Sequence, residues 1–319
     1  FITHKLREVM EISDRVTVMR AGRKIGTVRT SETSKEEISR MMVGRDVLLR
    51  VEKTPANPGE VVLDLDKVDL LDQKGRAALQ QVSLQVRAGE ILGIAGVEGN
   101  GQTELVEVLT GLRRATSGKV KISGKDVTDW DPRRLRELGL GHIPEDRHRR
   151  GTAVSASIEE NLILDSYYRP PKASGWLLKV GETASYAVDL VRRYDVRTNS
   201  AKNPAGSLSG GNLQKVVIAR EFSKDPKLLV AAQPTRGVDI GAIEFIHREV
   251  IKRRDEGSAV LLISADLGEV MSLSDRIAVM YGGQVVAIFD DAASVTEEEL
   301  GLYMLGVKRQ AELAGEVAG

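Results

Sequence analysis

The tightest constraint on this chain is that it repeats itself end against end. Thr3 to Gly22 reads THKLREVMEISDRVTVMRAG and Ser264 to Gly283 reads SADLGEVMSLSDRIAVMYGG, identical at ten of twenty aligned positions, Leu6, Glu8, Val9 and Met10 among them. A second echo follows with a one-residue shift, SKEEISRMMVGRD from Ser34 against TEEELGLYMLGVKR from Thr296. Solenoid repeats recur every ~20 to 50 residues, whereas this period of 261 residues is that of a whole domain. Residues 1–53 are therefore expected to be the C-terminal remnant of a first copy, 61–308 a complete second copy and 309–319 a tail. The Pro- and Gly-containing stretch TPANPGE, residues 54–60, reads as the linker. A chain opening on Phe1 is expected to be a piece of something longer.

Within the second copy, the short apolar runs EILGIAG, VKIS, GLGHI, KLLVAA and AVLLIS read as strands, with helices expected after Gly101, Ser209, Gly241 and Asp266. Strands alternating with helices point to a largely parallel α/β core. Between Gly151 and Ser207 the pattern turns helical and irregular, as in an inserted subdomain. On the helix expected over Ile243–Arg254, Ile243, Ile246, Val250 and Ile251 share a face, and Arg248, Lys252, Arg253 and Asp255 read as a solvated one.

Composition excludes more than it assigns. Lys plus Arg and Asp plus Glu are both 46, so no global field draws the chain to nucleic acid or an anionic membrane. Zero cysteines remove disulfides, thiolate metal sites and cysteine nucleophiles. No apolar run approaches the ~18 residues of a spanning helix.

GVEGNGQTEL, Gly96–Leu105, follows the apolar run ILGIA and opens an amphipathic helical pattern. A strand, a glycine turn and a helix N-terminus together form a phosphate cradle, built from backbone N–H groups and the positive end of a helix. The glycines alone also serve tight turns, and Gln102 stands where such a loop carries lysine. LSGGNLQKVVIARE, Leu208–Glu221, read alone, is a Ser209-capped helix.

Taken in order, these motifs resemble the ATP-binding cassette family over essentially the whole second copy. After the phosphate loop come PEDR at the glutamine-loop position, the signature LSGGNLQK, LLVAAQPT where LLxxDEPT is usual, RGVD as the D-loop, and LLISADL where a switch histidine is usual. The resemblance implies a P-loop NTPase cassette with a largely parallel sheet core, an antiparallel β subdomain and an inserted helical subdomain. It implies nucleotide contacts at Gly96, Gly99, Asn100, Gly101, Gln102 and Thr103, at Glu145, at Leu208, Ser209, Gly210, Gly211 and Asn212, and at Asp239. Thr103 is left as a magnesium contact. The chemistry is depleted: besides Gln102, Ala232 replaces the magnesium aspartate, Gln233 the water-activating glutamate and Ala265 the switch histidine. No aromatic between Asp69 and Leu79 is placed to stack an adenine.

In this family two cassettes pair head to tail, each nucleotide lying between one phosphate loop and the other signature. The intact LSGGN is thus expected to complete the site of the first copy, whose switch histidine is His4. His142, His148 and His247 carry no motif. Two fused cassettes, the second degenerate, resemble the ATPase subunits of bacterial importers for simple sugars and nucleosides, and IPEDRHRRG and AAQPTRGVDIGAIEFIHR look most like the purine-nucleoside type. ATP and Mg2+ as cofactors, integral membrane permease subunits, a substrate-binding lipoprotein and the first cassette as partners, no nucleic acid, and a peripheral place on the cytoplasmic face of the membrane are all implied by that resemblance. A simple-sugar importer stays open as the alternative. The basic cluster RHRRG, Arg147–Gly151, read alone is a solvated loop; the family places the permease contact there. Soluble tandem cassettes acting on ribosomes also duplicate the fold, but the short linker argues against them.

Overall fold

A computed structural model describes residues 1–3, 6–20, 22–44, 53–170, 172–174 and 177–311. The N-terminal segment runs α1 (Leu6–Ile12), β1 (Arg15–Arg20), β2 (Arg23–Arg29) and α2 (Lys35–Val43). From residue 61 come β3 (Val61–Leu71), β4 (Ala77–Arg87), β5 (Ile91–Ala95), α3 (Gln102–Leu109), β6 (Ser117–Ile122), β7 (Lys125–Asp126), α4 (Pro132–Leu138) and β8 (Leu140–Ile143). A mostly helical stretch holds α5 (Ile158–Ile163), the hairpin β9 (Ala173–Ser174) and β10 (Leu177–Leu178), and α6 (Val180–Arg193). Strict alternation then returns with α7 (Gly210–Phe222), β11 (Leu228–Ala232), α8 (Ile240–Asp255), β12 (Ala259–Ile263), α9 (Leu267–Leu273), β13 (Arg276–Tyr281), β14 (Gln284–Phe289) and α10 (Glu297–Met304).

The central sheet is ordered β14-β13-β5-β12-β11-β8, all parallel except the β14 edge. Every residue of β5, β11 and β12 is buried, which is why these strands read as unbroken apolar runs. One face packs with α3 against the antiparallel sheet β4-β3-β6-β7, around Leu92, Leu105, Leu65 and Ile122. The other packs against α5, α6, α7 and α8, around Ile91, Leu162, Leu190, Leu213 and Ile246. Parallel strands place their C-terminal ends along one edge of such a sheet, where ligands of open α/β folds bind.

The sequence repeat is also a structural repeat. Helix α1 and strand β1 occupy the positions 261 residues before α9 and β13, and the β-bulge between Val18 and Met19 recurs between Val279 and Met280. Helix α2 is capped by Ser34 and ends on left-handed Gly44; α10, capped by Thr296, is followed by left-handed Gly306. The difference is in burial. Strand β13 lies between β5 and β14 with four successive residues buried, whereas among the described residues β1 pairs with β2 alone and leaves Met19 exposed. Its small core is Val9, Val18 and Ile38.

VKIS forms β6 within the expected antiparallel sheet, and the parallel core takes in β13. One expectation needs correction. On α8, which starts at Ile240 behind an Asp239 cap, Arg253 is not part of a solvated face. It is buried, paired with Asp225 and with Glu256 at 2.9 Å, and Arg254 beside it is 1% exposed. Arg254 donates to Thr54 O and binds Asp275, which Lys53 also meets at 3.0 Å. These cations are buried because acids and carbonyls surround them, a tertiary fact that helical periodicity does not carry.

Candidate functional site: a closed phosphate loop and an open signature

Strand β5 ends at Ala95 and hands the chain to the glycine loop, which enters α3 behind Gly101 in a left-handed conformation, φ +101°. A Cβ on Gly101 would meet Ala78 O, Gly283 Cα and Leu79 Cδ2 all at 3.1 Å, so the loop is pressed against neighbouring backbone. Gln102 is buried and turns back across the loop. Its Nε2 donates to Val97 O at 3.1 Å, its Oε1 accepts from Asn100 N–H at 3.1 Å, and a Cβ on Gly96 would lie 2.4 Å from Nε2. The glutamine thus occupies a backbone donor that a phosphate cradle needs and supplies no charge in exchange. Asn100 is itself spent on the scaffold, donating to Val97 O and accepting from Gly282 N–H.

Facing the loop across a cavity of about 350 Å3 are the ends of β11 and β12. Ala232 closes β11, and Gln233 follows at φ +49°, held by its N–H on Ile263 O at 2.7 Å and by its Oε1 accepting from Ala265 N–H at 3.2 Å. The Gln233 side chain is therefore engaged by the backbone of Ala265. Thr103 is exposed and lines the cavity, but no carboxylate stands at 232 or 233, and among the described residues no His, Cys, Asp and Glu cluster is arranged for a metal ion. Thr103 supplies one neutral hydroxyl, and the carboxylates that share the cavity with it are those of Glu98, Glu145 and Asp146; hard cations such as Mg2+ take oxygen donors of this kind.

The signature is differently disposed. Ser209 caps α7, its Oγ accepting from Asn212 N–H and Asn212 Nδ2, so the simple capping role holds as well. Ser209 is exposed, Leu208, Gly210 and Asn212 are partly exposed, and Gly211 is buried within 3.1 Å of Asp239 Oδ2 for an added Cβ. Asp239 caps α8 through Ala242 N–H. None of residues 208–212 lines the loop cavity; their helix N-terminus opens elsewhere. Glu145 does line it, paired with Arg236, which also stands 3.6 Å from Glu98. His4 lies outside the described residues.

Two residues without a motif belong to this region. His142, on β8, lines the cavity with Nε2 unpaired, and burial pushes its pKa down to about 4 against the pull of Glu221. Glu221 is fully buried on α7 among Arg136 at 2.9 Å, Arg220 at 2.9 Å and Lys224 at 3.5 Å, and accepts from His142 N–H. Desolvation opposes its charge, but the cations around it hold its carboxyl well below the usual range. A carboxylate at the end of an apolar helix stretch is the only sequence trace of this cluster. In the basic cluster, Arg147–Gly151 is a π turn whose His148, Arg149 and Arg150 are exposed, while Arg147 is half-buried against the D-loop and Arg150 pairs with Glu107 at 2.9 Å.

Comparison with known proteins converges on these features. Residues 79–236 match the family model described as ABC transporter. The guanosine import ATP-binding protein NupO of Bacillus subtilis is 49% identical over 92% of this chain and 58% of its own length. The nucleoside import ATP-binding protein NupA of Lactococcus lactis is 45% identical over 96% and 60%, and the glucose import ATP-binding protein TsgD13 of Haloferax volcanii 47% over 96% and 56%. The chain spans about 60% of the length of such relatives. A nucleotide-free ATP-binding cassette from an ABC transporter superposes with a TM-score of 0.64 at 25% identity, covering 82% of this chain and all of that one. Strand order, glycine loop, signature and these relatives together identify an ATP-binding cassette domain of the ABC transporter family.

Proposed function

We propose that this chain is part of an ATP-binding subunit of an importer for nucleosides, and that its intact signature completes a nucleotide site held by another cassette of the same protein. The observation that carries the reading is the contrast between the two halves of the site. The Ser209 helix end is exposed and free of the loop cavity, while the phosphate loop is closed on its own glutamine. The N-terminal α1-β1-β2-α2 unit, matching α9 to α10, supports a preceding cassette that ends in the same way.

Permease subunits in the membrane and a substrate-binding lipoprotein are the partners this reading requires, which places the chain peripherally on the cytoplasmic face. Among the described residues no helix is long and apolar enough to cross a membrane. The helical stretch offers Leu164, Tyr167, Leu177, Leu178, Val180 and Val188 to the exterior, a surface suited to such a partner. A simple-sugar importer is the second reading, supported by the 47% identity to a glucose import protein. Uptake of radiolabelled guanosine and of glucose by cells carrying the full-length protein with its permease decides between them. ATP-dependent guanosine uptake unaffected by excess glucose is the expected result; the reverse overturns the nucleoside assignment.

A further inference from the structure

Two loops separated by 89 residues exchange arginines. Arg147, from the segment after β8, donates to Arg236 O and to Gly237 O, the latter at 3.0 Å. In return Arg236 binds Glu145, two residues before Arg147, and reaches toward Glu98 of the phosphate loop. The Arg147 guanidinium also lies against the signature, since a Cβ on Gly210 would be 2.6 Å from its Nη2 and one on Gly237 3.4 Å away. Gly210 is thus the residue that lets the guanidinium between the D-loop and the start of α7.

This is an unfavourable place for a cation. The N-terminus of a helix is its positive end, Arg147 Nε is buried without a partner, and burial disfavours the charge. The surroundings hold the arginine there nonetheless. Asp146 Oδ1 accepts from His148 N–H at 2.9 Å and Arg149 N–H at 3.0 Å, which fixes the π turn, and Thr152 Oγ1 donates to Arg147 O. Arg220 of α7 donates to Gly151 O at 2.8 Å, tying the far end of the turn to the signature helix.

We infer that Arg147 is a positioning residue that locks the D-loop and the signature end of α7 to the 144–147 segment, so that displacement of that segment is transmitted to the groups this chain presents to another cassette. The inference rests on the composite-site reading above. Two backbone carbonyls 236 and 237 make a bidentate target for a planar fork; a lysine or an apolar chain offers no such geometry.

The test has two arms. In this chain, hydrogen exchange is compared for wild type and Arg147→Met; amides of 209–212 and 235–239 should exchange at least tenfold faster, with β11 and β12 unchanged. In the full-length protein assembled with its permease, Arg147→Met and Arg147→Lys should lower kcat for ATP at least tenfold with KM within threefold, and the charge swap Glu145→Arg with Arg236→Glu should recover activity lost by either single change. Ser209→Arg is the control. If it abolishes hydrolysis while Arg147→Met leaves kcat and exchange within twofold of wild type, the positioning role is wrong and the composite site stands. If Ser209→Arg is harmless, the composite site itself falls and the inference with it. Should Arg147→Met fail to fold, Arg147→Lys with the charge swap decides alone, retained kcat in the lysine variant overturning the role.

Discussion

Gln102 and Val97 close the phosphate loop on itself: the side-chain amide of the first hydrogen-bonds the carbonyl of the second at 3.1 Å while accepting from Asn100 N–H. A phosphate on the loop backbone would compete with this bridge for the Asn100 N–H, and the glutamine offers it no charge in exchange.

Gln102→Lys should therefore improve nucleotide binding to this chain. A charge-assisted hydrogen bond contributes about 1.5–3 kcal/mol, so the dissociation constant of a fluorescent ATP analogue should fall roughly 10- to 100-fold. An unchanged constant would mean that the loop backbone, rather than the side chain, excludes the ligand.

Hydrolysis should not follow binding. With Ala232, Gln233 and Ala265 where the family resemblance implies metal, base and switch residues, this chain alone is expected to turn over ATP barely above background. A steady-state rate near ~1 s⁻¹, the low end of ordinary enzymes, with contaminating ATPase excluded, would contradict it.

The asymmetry should appear in transport. At matched expression of the full-length protein, Ser209→Arg should abolish ATP-dependent uptake by placing a bulky cation at an exposed helix N-terminus meant for an anion. His4→Ala should be severe and Gln102→Ala mild. Equal damage from Gln102→Ala and Ser209→Arg would refute one working and one degenerate site.

Glu221→Gln tests the buried charge cluster. It leaves Arg220, and Arg136 and Lys224 apart from Asp165, without their carboxylate. Breaking a buried pair by removing one partner costs about 3–5 kcal/mol, and urea denaturation at neutral pH should show a loss of that order. A change under ~1 kcal/mol would show that Asp165 alone suffices.

Stability should also fall with acid through His142. Unfolded, this histidine takes a proton near its ordinary pKa of 6.5; folded, burial holds it to about 4. The unfolded chain thus binds more protons between these values, so the contribution is complete above pH 6.5, declines as pH drops toward 4 and is flat below. The loss is roughly 3 kcal/mol. His142→Asn should flatten the urea-derived stability profile over that window relative to wild type, while the acid limb below it, set partly by Glu221, persists.

Much of this molecule is written locally. The strand, glycine turn and helix at 91–109 follow from residue order, because apolar runs, left-handed glycines and caps act over a few neighbours. Ser209 and Asp239 sit at helix starts for the same reason, and the 261-residue repeat needed only comparison of the chain with itself. The residues at 102, 232, 233 and 265 led the sequence alone to the expectation of a depleted site. What those residues do instead was decided by the tertiary structure. The return of Gln102 to Val97, the capture of Gln233 by Ala265, the burial of Arg253 and Arg254, the shielding of Glu221 and the bridge from Arg147 to Gly237 all join groups brought together by folding. Amphipathic patterning says which face of an element turns inward, but a charge survives inside only if another element delivers its counter-charge, and pattern within one element holds no record of that partner.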